Sequence, residues 1–118
     1  MIKITRGDTK VLKFQRKNNE GVIQEEADEM FFTVKPNAYL EDYIFQKKLN
    51  VGITFDDSDY YYRVTILPSD TNGLYYGTYK YDIEVKNGDN YVRTIDKGDF
   101  IVGKEVTFPG NEEGVIGW

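Results

Sequence analysis

Three short stretches hold the residue types from which a site could be built. "TRGDT" contains Arg6-Gly7-Asp8, the tripeptide found in integrin ligands. A turn explains it more simply: Gly7 supplies a positive φ and Asp8 can bond its own backbone. "FDDSDY" clusters Asp56, Asp57 and Asp59, and oxygen-rich loops of this kind can hold calcium. The glycine and distal glutamate of an EF-hand loop are missing, so the stretch reads as a solvated hairpin tip. "QEEADE" offers Glu25, Glu26, Asp28 and Glu29. A glycosidase needs two carboxylates facing each other across a cleft at a set separation. Four acidic neighbours before an apolar run read instead as a charged loop.

Other chemistry has less to start from. The chain has no histidine and no cysteine. That removes the commonest general base, the commonest metal ligands and any disulfide framework. Ser58 and Ser69, the two serines, both fall in turn-like stretches. Their activation would need a lysine or carboxylate base. No glycine-rich phosphate loop leads into a helix. The expectation is therefore a protein without catalytic, cofactor-binding or metal-binding residues. The formal net charge of −5, with no basic block, argues against nucleic acid as partner. No apolar run approaches a membrane span, and the opening "MIKITRGDTKVL" lacks the apolar core of a secretory signal. A protein that folds in the cytoplasm is expected.

The elements that would position any such site are strands. A length of 118 residues is one domain's worth, enough to bury a core. In "GTYKYDIEV" Tyr79, Tyr81, Ile83 and Val85 share one face, while Lys80, Asp82 and Glu84 share the other. A period of two means a half-buried strand. Asn87-Gly88 then predicts a two-residue turn into "YVRTI", with Ile83 facing Val92 and Asp82 facing Arg93. "TKVLKF" points Leu12 and Phe14 inward. "MFFTVKP" does the same with Met30, Phe32 and Val34, and Pro36 ends it. "YYYRVTIL" contributes Tyr62, Val64 and Ile66. "DFIVGKEVTF" is a late strand broken at Gly103. Breaks fall at "RGD", "KNNEG", "DDSD", "PSDTNG" and "DKGD". Residues 37–50 admit a helical stripe of Leu40, Tyr43 and Ile44, but a short turn followed by a strand is preferred. The whole predicts an all-β chain, an immunoglobulin-like antiparallel β-sandwich of about seven to eight strands. It would span residues 1–108, with residues 109–118 as a C-terminal tail.

Tyrosine is unusually frequent, at ten residues. "GTYKY" has the layout of a tyrosine corner, with Tyr79 at the corner and Tyr81 in the core slot two residues on, where antibody domains place a cysteine. Tyr60, Tyr61, Tyr75 and Tyr76 are free to be exposed. The tail "PGNEEGVIGW" has no alternation, yet it carries Val115, Ile116 and Trp118. Tyr75, Tyr76, Val115, Ile116 and Trp118 are accordingly the candidate interaction surface. A carbohydrate-binding or adhesion module using exposed tyrosines is the alternative reading; it would need two or three open, coplanar rings beside polar donors.

The order of these signals resembles one family. "ITRGDTKVLKF", "FFTVKP", "IFQKKLNVGITF", "VTILPSDTNGLYYGTYKYDIEV" and "TIDKGDFIVGKEVT" together look like the small all-β domain at the N-terminus of phage upper-baseplate proteins, also found in related prophage tail and neck proteins. The matching stretches run from about Ile2 to Thr107. The resemblance implies a non-enzymatic structural protein of a phage or prophage particle, made in the bacterial cytoplasm and ending in the virion. Implied partners are other tail, baseplate or neck proteins, or further copies of the chain. It implies no catalytic residues. Proteins of that type usually continue into a stalk or receptor-binding part, whereas this sequence stops at Trp118.

Overall fold

The computed structural model describes residues 1–104. Their order is β1 (Ile2–Thr5), β2 (Lys10–Gln15), β3 (Glu29–Lys35), β4 (Phe45–Leu49), β5 (Gly52–Asp56), β6 (Tyr61–Ile66), the single helical turn α1 (Pro68–Thr71), β7 (Gly77–Asn87) and β8 (Tyr91–Gly103). All eight strands belong to one sheet, in the order β1-β8-β7-β3-β4-β5-β6-β2. Its outermost strands, β1 and β2, are consecutive in the chain and joined by Arg6–Thr9. The sheet therefore curls almost shut, into a barrel-like sandwich. The expected boundary at residue 108 lies outside the described residues.

The alternation read in the sequence sets the inner face. Met30, Phe32 and Val34 are fully buried, as are Tyr62, Val64 and Ile66. Tyr81, Ile83 and Val85 join them, and Leu12, Phe14 and Tyr79 pack against the same cluster. Aromatic rings pack against one another within this core. Phe32 stacks on Tyr81 at 5.7 Å between centroids, Phe45 meets Phe100 edge-on at 5.8 Å, and Phe55 lies 4.8 Å from Tyr62. Such pairs add about 0.5–1.5 kcal/mol beyond the area they bury. Tyr62 keeps its hydroxyl satisfied at full burial by accepting the Ala27 N–H at 2.8 Å.

Three details depart from the sequence reading. First, the sheet is mixed rather than purely antiparallel: β1 runs parallel to β8 and β4 parallel to β5. The β4–β5 pairing follows from a sideways step. Asn50 takes φ 70°, Val51 N–H donates to the Lys48 carbonyl at 2.8 Å, and β5 resumes beside β4 in the same direction. Asparagine tolerates that left-handed backbone. Second, the β7–β8 loop has three residues, and Asn87 pairs with Tyr91. With the bulge at Ile95 added to that loop, Ile83 faces Asp96 and Asp82 faces Lys97. The loop is fixed from outside: Asp28 N–H donates to Asn87 Oδ1, and Gly88 N–H donates to Asp28 Oδ2, at 2.8 and 2.7 Å. Third, "DKGD" is no break, because β8 runs through it. Gly98 lies under the Tyr81 ring, where an added Cβ would stand 3.3 Å from a ring carbon. The ring covers the strand at the point where it has no side chain. A bulge at Ile95 then resets the register. Residues 37–50 do form a turn region followed by a strand, β4.

Tyr81 also donates its hydroxyl to Asp96 Oδ2 at 2.9 Å. Burial, reinforced by that bond to a carboxylate, pushes the phenol up to about 12 from an ordinary 10.0. The folded state thus holds this proton more tightly than the unfolded chain. Its contribution is complete below pH 10 and is lost as pH rises through 10 towards 12. Alkaline urea titrations should show stability falling across that window, and Tyr81→Phe should flatten the fall. At neutral pH Tyr81→Phe should cost on the order of 1 kcal/mol. Tyr81→Ala, which opens a cavity beneath Phe32 and exposes Gly98, should cost roughly 3–5 kcal/mol. An unchanged denaturation midpoint for Tyr81→Ala would place the ring outside the core.

Candidate interaction surface

The candidate residues Tyr75 and Tyr76 sit in the corner between β6 and β7, and that corner is built on α1. Asp70, in the helical turn, accepts the Leu67 N–H at 2.7 Å and pairs with Lys47 at 2.7 Å. Both charged side chains are nearly covered, at 12% and 14% exposure, so this pair is better shielded than a surface bridge. An added Cβ on Gly52 would lie 2.7 Å from Lys47 Cδ, so a glycine there leaves the lysine room to reach. Thr71 is fully buried, and its Oγ1 accepts the Gly7 N–H at 2.8 Å.

That bond brings in the first motif. Gly7 has φ 81°, and Asp8 N–H donates to the Thr5 carbonyl at 3.0 Å, closing a turn. The Arg6 guanidinium lies 4.5 Å above the Tyr76 ring and donates to the Leu74 carbonyl at 3.4 Å. Arg6 N–H donates to the Gly103 carbonyl, at the end of β8. The "RGD" stretch is thus a structural turn with its arginine occupied inside the protein. Tyr79 completes the corner by donating its hydroxyl to the Tyr75 carbonyl at 2.7 Å. This is the expected tyrosine corner, reaching four residues upstream.

Because backbone and ring are held this way, Tyr75 is thrown outward and is 88% exposed, while Tyr76 is 42% exposed. Val115, Ile116 and Trp118 lie outside the described residues. The sequence reading missed a second group at the same end of the sheet. The loop from Pro36 to Ile44 joins β3 to β4 and exposes Tyr39, Leu40 and Tyr43, Tyr39 at 96%. Asn37 Oδ1 accepts the Tyr39 N–H at 2.9 Å, so a local Asx turn holds Tyr39 away from the sheet. The available signal was Pro36-Asn37 followed by apolar residues with no period. Exposed tyrosines gathered at one end are the composition of a contact surface. At this end Arg6 covers one face of Tyr76, while Tyr39 and Tyr75 stand open.

The acidic stretches lie at the opposite end. Asp56 accepts both the N–H and the hydroxyl of Ser58, and those bonds hold its carboxyl below the usual range. Asp59 accepts from Arg63 at 2.9 Å and from the Tyr61 N–H, and is likewise lowered, chiefly by the arginine. Arg63 also stands 3.6 Å from Asp56. Asp56 and Asp59 are therefore satisfied within the hairpin tip. Tyr60 closes it with φ 59° and an N–H bond to the Asp56 carbonyl. In the other stretch Asp28 clamps the β7–β8 loop, Glu29 pairs in register with Lys86, and Glu25 and Glu26 are exposed. Among the described residues no group of three or more acidic side chains is placed to hold a metal ion. No described helix is long and apolar enough to cross a membrane.

Comparison with protein families, with curated proteins and with solved structures returns no match to this chain.

Thr71→Val keeps the shape of the corner but removes the acceptor for Gly7 N–H. A donor left unpaired at a part-buried site should cost on the order of 1–3 kcal/mol, read as a lowered urea midpoint. Tyr75→Ser should leave the midpoint within about 0.5 kcal/mol, because its ring touches nothing in the core. Equal losses for the two substitutions would contradict this division between scaffold and surface.

Proposed function

We propose that the protein is a non-enzymatic assembly subunit of a phage or prophage particle, working through protein–protein contacts in the tail, baseplate or neck. One observation carries this reading. The segments on which the resemblance rests, "ITRGDT", "PSDTNGLYYGTYKY" and "GDFIVG", converge on the single corner formed by Arg6, Gly7, Thr71, Tyr76, Tyr79 and Gly103. The shared signals thus lie in the joint that closes the sandwich and presents tyrosines from its end. That is the economy of a scaffold whose job is to hold a contact surface.

The surface put forward is Tyr39, Tyr43, Tyr75 and Tyr76, together with Val115, Ile116 and Trp118 of the tail. Aromatic anchors of this kind supply most of the binding energy in protein interfaces. The β8 strand ends at Gly103, one residue past Val102, which pairs with Gly77 at the tyrosine-bearing end. Neighbouring subunits, or further copies of the chain, are the intended partners.

Two variants test the reading: truncation after Pro109, and Tyr39→Ser combined with Tyr75→Ser. Mass in solution and capture of co-expressed tail or baseplate proteins are the readouts. Each variant should keep the wild-type thermal midpoint and lose assembly or capture. Unchanged assembly and capture in both would reject the surface. A lowered midpoint at unchanged mass after truncation would show the tail serving its own sandwich instead.

A further inference from the structure

The inner face of β8 changes character along its length. Residues directly opposite one another in a ladder share a face. Phe100 stands opposite Tyr79, and Gly98 opposite Tyr81, over the apolar core. Past the bulge Arg93 stands opposite the fully buried Val85, and Tyr91 opposite Asn87. A sandwich strand that only filled a core would place apolar side chains there.

The segment 16–24 lies beside this polar stretch, whose residues stay exposed. Lys17 bridges to Ile23, and Asn18 Oδ1 accepts the N–H groups of Glu20 and Val22, so the segment is a hairpin fixed by its own bonds. Between it and β8 lies a cleft of about 230 Å³, lined by Arg16, Lys17, Asn18, Asn19, Gln24, Tyr91, Arg93, Thr94 and Ile95. Three lining residues are cationic and none is acidic. Among the described residues Lys17 and Arg93 form no ion pair. Arg16 donates Nη2 to the Glu25 carbonyl at 2.9 Å, but its Nε is buried with no hydrogen-bond partner. The adjoining cavity, beside Arg16 and Lys17, is lined by Asp96. Its oxygens are taken by the Tyr81 hydroxyl and the Lys97 N–H. Three cations thus line one small cleft whose lining holds no carboxylate.

We propose that this cleft binds a carboxylated sugar. Its carboxylate would sit among Arg16, Lys17 and Arg93, where guanidinium forks suit a planar oxyanion. Asn19, Gln24 and Thr94 offer donors and acceptors to ring hydroxyls, and Tyr91 offers an aromatic face. The volume falls below the roughly 300 Å³ at which drug-sized pockets begin, so one sugar unit fits rather than an extended ligand. An acidic protein segment is less well suited. Protein anchors seek apolar pockets, and here only Tyr91 and Ile95 contribute apolar surface. The site lies at the opposite end from the exposed tyrosines and is independent of the assembly reading.

The test is titration of the full chain with sodium glucuronate, glucose and inorganic phosphate, followed by backbone amide NMR at near-physiological salt. Glucuronate should shift the amides of Lys17, Tyr91 and Thr94 saturably, and glucose should not. Arg93→Gln, an exposed position, should weaken glucuronate roughly tenfold or more at an unchanged thermal midpoint, as expected for the loss of a charge-assisted hydrogen bond. Lys17→Gln should weaken it less. Phosphate shifting the same amides as strongly as glucuronate would overturn the sugar assignment in favour of a general anion site. Equal binding of glucose, an unchanged affinity in Arg93→Gln, or no saturable shift with glucuronate would each overturn the proposal.

Discussion

The sheet depends on how its two outermost strands are joined. Strands β1 and β2 follow one another in the chain, yet they sit at opposite ends of an eight-strand order. Only a curled sheet can satisfy both facts, and the join must be anchored or the curl would open. The bond from Gly7 N–H to the buried Thr71 hydroxyl is that anchor, and the stacking of Arg6 on Tyr76 extends it. No ladder pairs β1 with β2; the Lys10 ammonium instead reaches the Lys3 carbonyl at 2.5 Å. A lysine at an unpaired edge is also a device against pairing with another chain. Closure is thus made by side chains where backbone pairing stops.

Much of the fold was legible because the buried positions obey a single rule. Tyr62, Val64 and Ile66 alternate without exception, and Met30, Phe32 and Val34 do so but for the buried Thr33. Register was less legible, since it depended on partners distant in sequence. The Asn87-Gly88 pair has the composition of a two-residue turn, but Asp28 takes hold of both residues and a three-residue loop results. "DKGD" has the composition of a break, but the Tyr81 ring covers Gly98 and the strand continues. In each case local chemistry was overruled by a contact from about 17 to 60 positions away, which a local pattern does not encode. The parallel pairing of β4 with β5 has the same origin: a left-handed Asn50 steps the chain sideways, and period-two alternation says nothing of strand direction.

The candidate surface was legible in part for the same reason. Tyr79 and Tyr81 declared themselves through spacing, and Tyr75 could be read as exposed because it precedes the corner. Tyr39 and Tyr43 could not, since a loop without period gives no face. Their exposure follows from Pro36 ending β3 and from the Asx turn at Asn37. The charged motifs were legible as turns and loops. The carboxylates of Asp56 and Asp59 find partners within their own hairpin.

These contrasts divide the molecule along its strands. The middle third is where rings pack and where substitutions should be expensive. Beyond Gly98 the inner face of β8 turns polar, and beyond Lys35 and Ile66 the loops turn aromatic and exposed. Neither change is needed to close the sandwich. Filling the polar end with apolar residues would extend the core, and at roughly 25 cal/mol per Å² of buried apolar surface the gain would be real. An exposed cation at Arg93, opposite the buried Val85, forgoes that gain, just as an exposed Tyr39 forgoes burial of its ring. Proteins give up stability in this way chiefly at positions selected for contact. The central ladder, in which Phe32, Tyr81 and Phe100 interlock, is what lets both ends depart from the rule that built it.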